Sequence, residues 1–337
     1  MGNRNVVVIG GSAGAFAVLR EIVRELPADL PASTFVVVHL GPNQSILPTI
    51  LSDSGRLPAT FAQDGERVQQ GRIYVAPSDR HLLVEKGAIA VRRGPRENAA
   101  RPAIDPLFRS AAVAHGSRVV GVILSGALSD GAAGLVAIKR CGGVAVVQDP
   151  ADADHPSMPQ AAMDATAVDY VEPSSAIGKL LVRLVNEPAG PQIATPGDIR
   201  QEADVAAHGV MEPWEDIAPI ERDTPVFSCP DCGGPLGIIA DRVTRFRCAV
   251  GHAHTAATLL ASKSRELEQA LWVAFRTNRE RAALLRKMAR DAQGRQQSKA
   301  ADMWDRRAAE FERHAKVIHE LLMSTADARA RVPAKTA

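Results

Sequence analysis

The chain has 337 residues, 46% of them hydrophobic, with a formal net charge of +2 at pH 7. That length allows two domains and a sizeable core, and a charge so near zero leaves nucleic-acid binding undecided. No run of about 18 apolar residues offers a membrane span, and no basic-then-apolar leader precedes the first apolar run, so the expected location is the cytoplasm.

In chain order, VVVI at 6–9 runs into Gly10-Gly11-Ser12-Ala13-Gly14, followed by a helical pattern over 15–26. TFVVVH at 34–39, RIYVA at 72–76, RVVGVIL at 118–124, GVAVV at 143–147 and AVDYV at 167–171 are short and rich in Val and Ile. Such runs fit strands buried on both faces of a parallel sheet. Helical patterns over 106–115, 132–141 and 159–164 lie between them, and LLVEKGAIAVRR at 82–93 reads as a β-hairpin turning at Lys86-Gly87. The alternation predicts an α/β domain over 1–186: a doubly wound, mostly parallel sheet in a three-layer sandwich. Residues 187–226 read as an acidic linker containing Pro and Gly, and 227–256 hold a cysteine cluster. Residues 257–328 are Pro-free and rich in Ala, Leu, Glu, Arg and Lys. Leu267, Leu271, Ala274, Phe275, Leu284, Leu285 and Met288, then Trp304, Phe311, Val317, Ile318, Leu321 and Leu322, recur at helical spacing around a break near Gln293-Gly294. This predicts a helical hairpin, with 329–337 as a disordered tail.

The glycine turn has two readings. A P-loop needs a Gly-Lys-Ser/Thr that is absent. A dinucleotide site needs an acidic residue ending the second strand, which here ends in His39. Gly10-Gly11-Ser12-Ala13-Gly14 instead fits G-x-S-x-G, which mounts a serine on a sharp strand-to-helix turn with helix N–H groups near a developing oxyanion. Alone, such a turn is more often plain packing. His39 at the end of strand two and Asp130 in LSGALSDGAAG change that balance. Each has a bland alternative, a strand end or a cap for the helix at Ala132. Together, a serine, a base and a carboxylate at one sheet edge favour a hydrolytic site.

The residues quoted so far, with IGGSAG, VVHLGP, GRIYVAPSDRHLLV, RPAIDPLFRSAA, GVILSGALSDGAAGL, and VVQDP followed by SMPQAAM, agree in order along residues 4–186 with a known family. The domain resembles the catalytic domain of the chemotaxis protein-glutamate methylesterases. The resemblance implies a serine esterase that removes methyl groups from receptor glutamates and deamidates certain glutamines, without a cofactor. It makes Ser12 the nucleophile, His39 the general base and Asp130 its orienting partner, with Gly11, Ala13, Ala127 and Met158 around the oxyanion and substrate. His81 and Asp105 lie in loop-like segments of the match, as structural or pocket-edge residues. Family members usually carry an N-terminal receiver domain, so a receiver-less subgroup is the expectation here. Ala13 stands where the family has Thr, and Ala127-Leu128 where it has Met-Gly, which opens the identity of the substrate. The implied partners are a methylated protein, chemoreceptor-like or of another kind, and a methyltransferase that supplies it. A catalytically silent signalling scaffold of the same fold is the competing reading, and a nucleotide-binding domain a third.

Cys229-x2-Cys232, then fifteen residues, then Cys248-x3-His252, has the spacing of a zinc ribbon, with His254 a rival fourth ligand. Four protein ligands close the coordination sphere, so the expected Zn2+ is structural. Cys141 reads as a buried free thiol. Few aromatics interleave the segment, so no nucleic-acid partner is expected. The helical hairpin is read as a route to homo-oligomers.

Overall fold

The Val- and Ile-rich runs become a seven-stranded sheet, all of whose pairings are parallel, in a computed structural model that describes residues 2–39, 45–208, 227–239 and 243–330. The strands are β1 (Val6–Gly11), β2 (Ser33–Val38), β3 (Ala59–Phe61), β4 (Arg72–Val75), β7 (Val119–Ile123), β8 (Val144–Gln148) and β9 (Tyr170–Glu172), in the order β3-β4-β2-β1-β7-β8-β9. Every residue of β1, β2 and β7 is buried, because helices cover both faces. On one face lie α1 (Ala15–Glu25), α2 (Leu47–Ser54) and α6 (Ser174–Asn186), whose Leu19, Ile22, Leu51 and Leu181 pack on Val7, Ile9 and Val36. On the other lie α3 (Ile104–His115), α4 (Ala132–Arg140) and α5 (Ser157–Ala165), whose Leu107, Phe108 and Leu135 meet Val8, Phe35 and Ile123. The predicted hairpin forms from β5 (His81–Val84) and β6 (Ile89–Arg92). The edge strand β3 and helix α2 were not expected; three and eight residues carry too little periodicity to register.

The acidic segment is not all linker. Helix α7 (Gly197–His208) forms within it, with Ile199, Val205 and Ala206 buried. Its charges find partners on distant elements, Asp198 on Arg140 and Glu202 on Arg245, which local composition cannot reveal. The rest of that segment, 209–226, and the expected tail over 331–337 lie outside the described residues. Beyond it, β10 (Leu236–Ile239), β11 (Arg245–Cys248) and β12 (Ala253–Thr255) make a three-stranded antiparallel sheet.

Residues Met1–Leu259 form one compact unit and Leu260–Ala337 a second. The second is the predicted hairpin, built from α8 (Ala256–Gly294) and α9 (Ser298–Ala330). Its seam differs from the expected one. Ala282, Ala289, Ala301, Ala308, Ala315 and Leu322, spaced by sevens along each helix, are buried, with Ser262 and Ala292 beside that line, whereas Leu267, Leu284, Val317 and Leu321 are exposed. Alanines allow close approach of the helices, which Arg286 clamps through Asp305 and Glu312.

Candidate active site and cysteine cluster

The chain order of the sheet reverses at β1, which lies between β2 and β7. Open α/β sheets carry ligands at such a point, beyond the carboxyl ends of the strands. Gly11 and Val38 are register partners there, and His39 N–H donates to the Gly11 carbonyl at 3.3 Å. Ser12 and His39 therefore leave adjacent strands, about 4.8 Å apart, side by side. Ser12 N–H donates to the Ser125 carbonyl at 2.9 Å, which ties the serine turn to the loop that carries Asp130. Gly14 caps α1 with φ 80°, and a Cβ there would lie 2.5 Å from the Ser125 hydroxyl, so the turn requires glycine.

Asp130 is buried and surrounded by donors. His39 Nε2 and Ile104 N–H each reach its Oδ2 at 2.7 Å; Asn98 Nδ2 and Asp105 N–H reach Oδ1 at 2.9 and 3.2 Å. Burial pushes its carboxyl up, but the His39 hydrogen bond and charge, with Ile104 and Asn98, hold it below the usual carboxylate range. The carboxylate accepts from Nε2 and leaves Nδ1 as the ring nitrogen open to act as a base. The bland alternative for Asp130 does not hold locally: the N-cap position of α4 is Gly131, and the Asp130 carboxylate instead caps the N-terminus of α3. Among the described residues, no hydrogen bond joins the Ser12 hydroxyl to His39.

Asp105 caps α4 in turn, accepting from Gly134 N–H at 2.6 Å, while Asn98 Nδ2 donates to its other oxygen at 2.9 Å. Burial, then the Asp130 charge, push its carboxyl up to about 7. A group whose folded pKa exceeds its unfolded value near 3.9 takes up a proton on folding. Its contribution to stability is full below about pH 4 and is lost as pH rises to about 7. Urea unfolding of Asp105→Asn is expected to lack that part of the decline, and a decline as steep as wild type would show that Asp105 does not titrate there.

The other expected pocket residues separate. Ala13 and Ala127 are exposed beside Ser12, and among the described residues their N–H groups have no protein acceptor. Gly11 is buried in β1 and acts through its carbonyl on His39. Met158 is buried beneath Gly126, which approaches so closely that an added Cβ would lie 2.6 Å from Met158 Sδ and 3.0 Å from Ser12 Cβ. Gly126→Ala is expected to cost about 1–3 kcal/mol of stability and, by displacing Ser12, to slow reaction at its hydroxyl more than it perturbs the fold. Equal labelling rates for this variant and wild type would exclude that contact. His81 is a core residue: its Nε2 bonds the Pro95 carbonyl at 2.8 Å, its Nδ1 accepts from Ala103 N–H, and burial pushes its pKa down. Asn98 carried no sequence signal, because its importance comes from partners that lie far away in the chain.

Cys229, Cys232, Cys248 and His252 each place a donor atom within 4.8 Å of the others. The edges between donors are 3.6 Å for Cys232–Cys248, 3.7 Å for Cys229–His252 and 3.5 Å for Cys248–His252. Zinc bonds of about 2.3 Å to sulfur and about 2.0 Å to nitrogen give tetrahedral edges of about 3.5–3.8 Å, so the set fits that ion. Turns at Gly233 and Gly251, both with positive φ, fold the two Cys-containing loops back on themselves. His254 is buried with its Nε2 3.9 Å from Cys229 and 3.2 Å from Asp231, in a second, three-donor grouping. Cys141 is buried and free, as expected.

A family model described as CheB methylesterase matches residues 7–181, just over half the chain. This chain belongs to the CheB methylesterase family. A protein of Leptospira interrogans is 40% identical over 184 residues, 54% of this chain and 95% of its own length. A protein-glutamate methylesterase/protein-glutamine glutaminase of Anaeromyxobacter dehalogenans is 39% identical over 180 residues, and the match spans 53% of each chain. The crystal structure of the Thermotoga maritima CheB methylesterase catalytic domain superposes over its full length on 55% of this chain, with TM-score 0.52 and 33% identity. The CheB match ends before the cysteine cluster and the helical unit. Among the described residues, no helix is long and apolar enough to cross a membrane.

Proposed function

We propose that Ser12, His39 and Asp130 form a hydrolytic triad that cleaves glutamyl methyl esters on a protein substrate and deamidates glutamine by the same chemistry. The observation that carries this reading is the 2.7 Å His39–Asp130 pair beside Ser12, at the reversal point of a family-matched sheet. Ser12 Oγ attacks the ester carbonyl carbon and passes its proton to His39 Nδ1. The Ala13 and Ala127 N–H groups, open at the surface, receive the oxyanion. The tetrahedral adduct then collapses, and the C–O bond to methoxide breaks as His39 returns the proton, so methanol leaves. Water, activated by the same nitrogen, opens the acyl-enzyme to glutamate; with a glutamine side chain the leaving group is ammonia. The Ser12–His39 hydrogen bond forms when substrate seats, as catalytic hydrogen bonds that are long in the free protein commonly do. The curated name of the Anaeromyxobacter relative supports both reactions.

In this reading the protein ester is made by a methyltransferase, and a receptor-like protein of a chemotaxis-type pathway is its natural form. Cys229, Cys232, Cys248 and His252 hold a structural zinc ion, with His254 outside the set. The exposed Leu267, Leu284, Val317 and Leu321 of the helical unit support self-association, which sedimentation at several concentrations tests.

A fluorophosphonate should label wild type and fail to label Ser12→Ala, and methanol should be released from a methyl-esterified receptor fragment by wild type alone. A wild type that neither labels nor releases methanol would leave the silent-scaffold reading in its place.

A further inference from the structure

Strand β12 connects the cysteine cluster to the Asp130 carboxylate through one side chain. It follows the cluster residue His252 directly and runs parallel to the loop before α3, with Glu97 facing Ala253. Asn98 N–H donates to the Ala253 carbonyl at 2.8 Å, and Ala253 N–H to the Arg96 carbonyl at 3.1 Å. The buried Asn98 amide is then used at both ends. Its Oδ1 accepts from Thr255 N–H at 3.0 Å, and its Nδ2 donates to Asp105 and Asp130 at 2.9 Å each. Beside it, the Thr255 hydroxyl meets that of Ser129, the neighbour of Asp130, at 2.7 Å.

This arrangement has one stable sense. The Asp130 carboxylate can only accept from Asn98, and the Thr255 N–H can only donate to it. A flipped amide would set its oxygen against the Asp130 carboxylate and its N–H2 against a main-chain N–H. Residue 98 also sits at φ 53°, a left-handed conformation that asparagine tolerates better than most residues. The strand that fixes the amide belongs to a small module. Its three strands span four, four and three residues, and among the described residues its apolar cluster has Cys229, Leu236, Phe246, Cys248 and Leu259 buried. So small a core needs a staple, and a Cys3His cluster supplies one when it binds metal.

We infer that Asn98 is a positioning residue for the esterase and that metal loading of the cysteine cluster, acting through β12, sets the orientation of the Asp130 carboxylate. The inference rests on the triad reading above. It makes the module part of the catalytic unit: loss of metal loosens β12, releases the Asn98 amide, and leaves Asp130 free to turn away from His39. Its exposed ligand Cys232 makes the cluster open to chelators and oxidants.

The test uses the full chain, with zinc content measured throughout. Zinc-loaded wild type, chelator-stripped wild type, Cys232→Ser and Asn98→Ala are compared by fluorophosphonate labelling of Ser12, by hydrolysis of p-nitrophenyl acetate and by amide hydrogen exchange. In the two metal-poor samples, the amides of Asn98, Thr255, Ile104 and Asp105 should exchange faster while Val36 and Val122 in the sheet stay protected, which separates release of the carboxylate from unfolding. Labelling should slow by about 10- to 100-fold, in the range of supporting residues around a site. Zinc should restore the stripped wild type but not Cys232→Ser. Asn98→Ala should keep its zinc, lose a similar factor in kcat and hold KM nearly constant. Metal-poor protein that labels at the wild-type rate with protected Ile104 and Asp105 amides would overturn the inference, as would a fully active Asn98→Ala. If loaded wild type itself is not labelled, the serine-hydrolase reading fails, and the exchange data alone decide whether the module holds Asp130.

Discussion

Asp130→Asn is expected to lower ester turnover by about four orders of magnitude, the scale seen when a triad carboxylate is made neutral without change of shape. The cause is a count of donors. Four N–H groups converge on the two oxygens of Asp130, from His39, Ile104, Asn98 and Asp105. An asparagine offers one oxygen and turns an N–H2 group toward the remaining donors. If its oxygen takes the Oδ1 position, where Asn98 and Asp105 converge, the amide N–H2 faces His39 Nε2 and the Ile104 N–H, and favours the tautomer with the proton on Nδ1, which can no longer accept from Ser12. If its oxygen takes the Oδ2 position, with His39 and Ile104, the Asp105 N–H and Asn98 Nδ2 lose their acceptor, at about 1–3 kcal/mol for each buried group left unsatisfied. Both losses are measurable. Single-turnover hydrolysis reports the first and urea unfolding the second. Asp105→Asn removes a neighbouring carboxylate without touching His39 and is the control. A variant Asp130→Asn that hydrolyses esters within tenfold of wild type would sink the triad assignment, whatever its stability.

The sheet was legible in the sequence because its strands are buried on both faces and so are written as unbroken Val and Ile runs. The ends of β1, β2 and β7 were legible for the same reason, and with them the placement of Ser12, His39 and Asp130 at one edge. The hairpin seam was misread because large apolar residues carry the visible period, whereas the packed line runs through Ala282, Ala289, Ala301, Ala308 and Ala315. Alanine is so common in helices that its seven-residue spacing does not stand out from composition. Helix α7 was missed since an acidic stretch looks solvated until its partners are known. Asn98 could not be found at all from the sequence: each of its four hydrogen bonds crosses from one element to another, and the bonds to Ala253 and Thr255 span more than 150 residues. The sequence-to-function link was strongest where chemistry follows directly from strand ends, and weakest where it depends on how a later module packs behind them.

Glu202→Ala should destabilise the first unit by about 3–5 kcal/mol, the usual cost of removing one partner from a buried ion cluster. Glu202 on α7 faces three guanidinium groups that are almost wholly buried: Arg245 at 2.6 Å, Arg109 and Arg247 at 3.6 Å, with side-chain exposures of 5%, 2% and 3%. Glu97 is a second carboxylate in this group and holds Arg109. Removing Glu202 withdraws a carboxylate from three guanidinium groups that lie out of water. The cluster joins α3, α7 and the cysteine-bearing sheet, so the loss should appear as early unfolding of β10 and β11 and of α7. A double variant, Glu202→Leu with Arg247→Met, should recover part of the loss, because it removes a cation along with the anion. Acid gives an independent reading of the same contact. Burial alone would push the Glu202 carboxyl up, yet Arg247, Arg245 and Arg109 hold it at about 2. Its folded pKa lies below the unfolded value of about 4.3, so the stabilisation is full above that value and is lost as pH falls toward about 2. The difference in unfolding free energy between wild type and Glu202→Gln should therefore be constant at neutral pH and shrink below about pH 4.3. A difference that stays level down to the acid limit would mean that neutral hydrogen bonding, rather than charge, fastens α7 to the module.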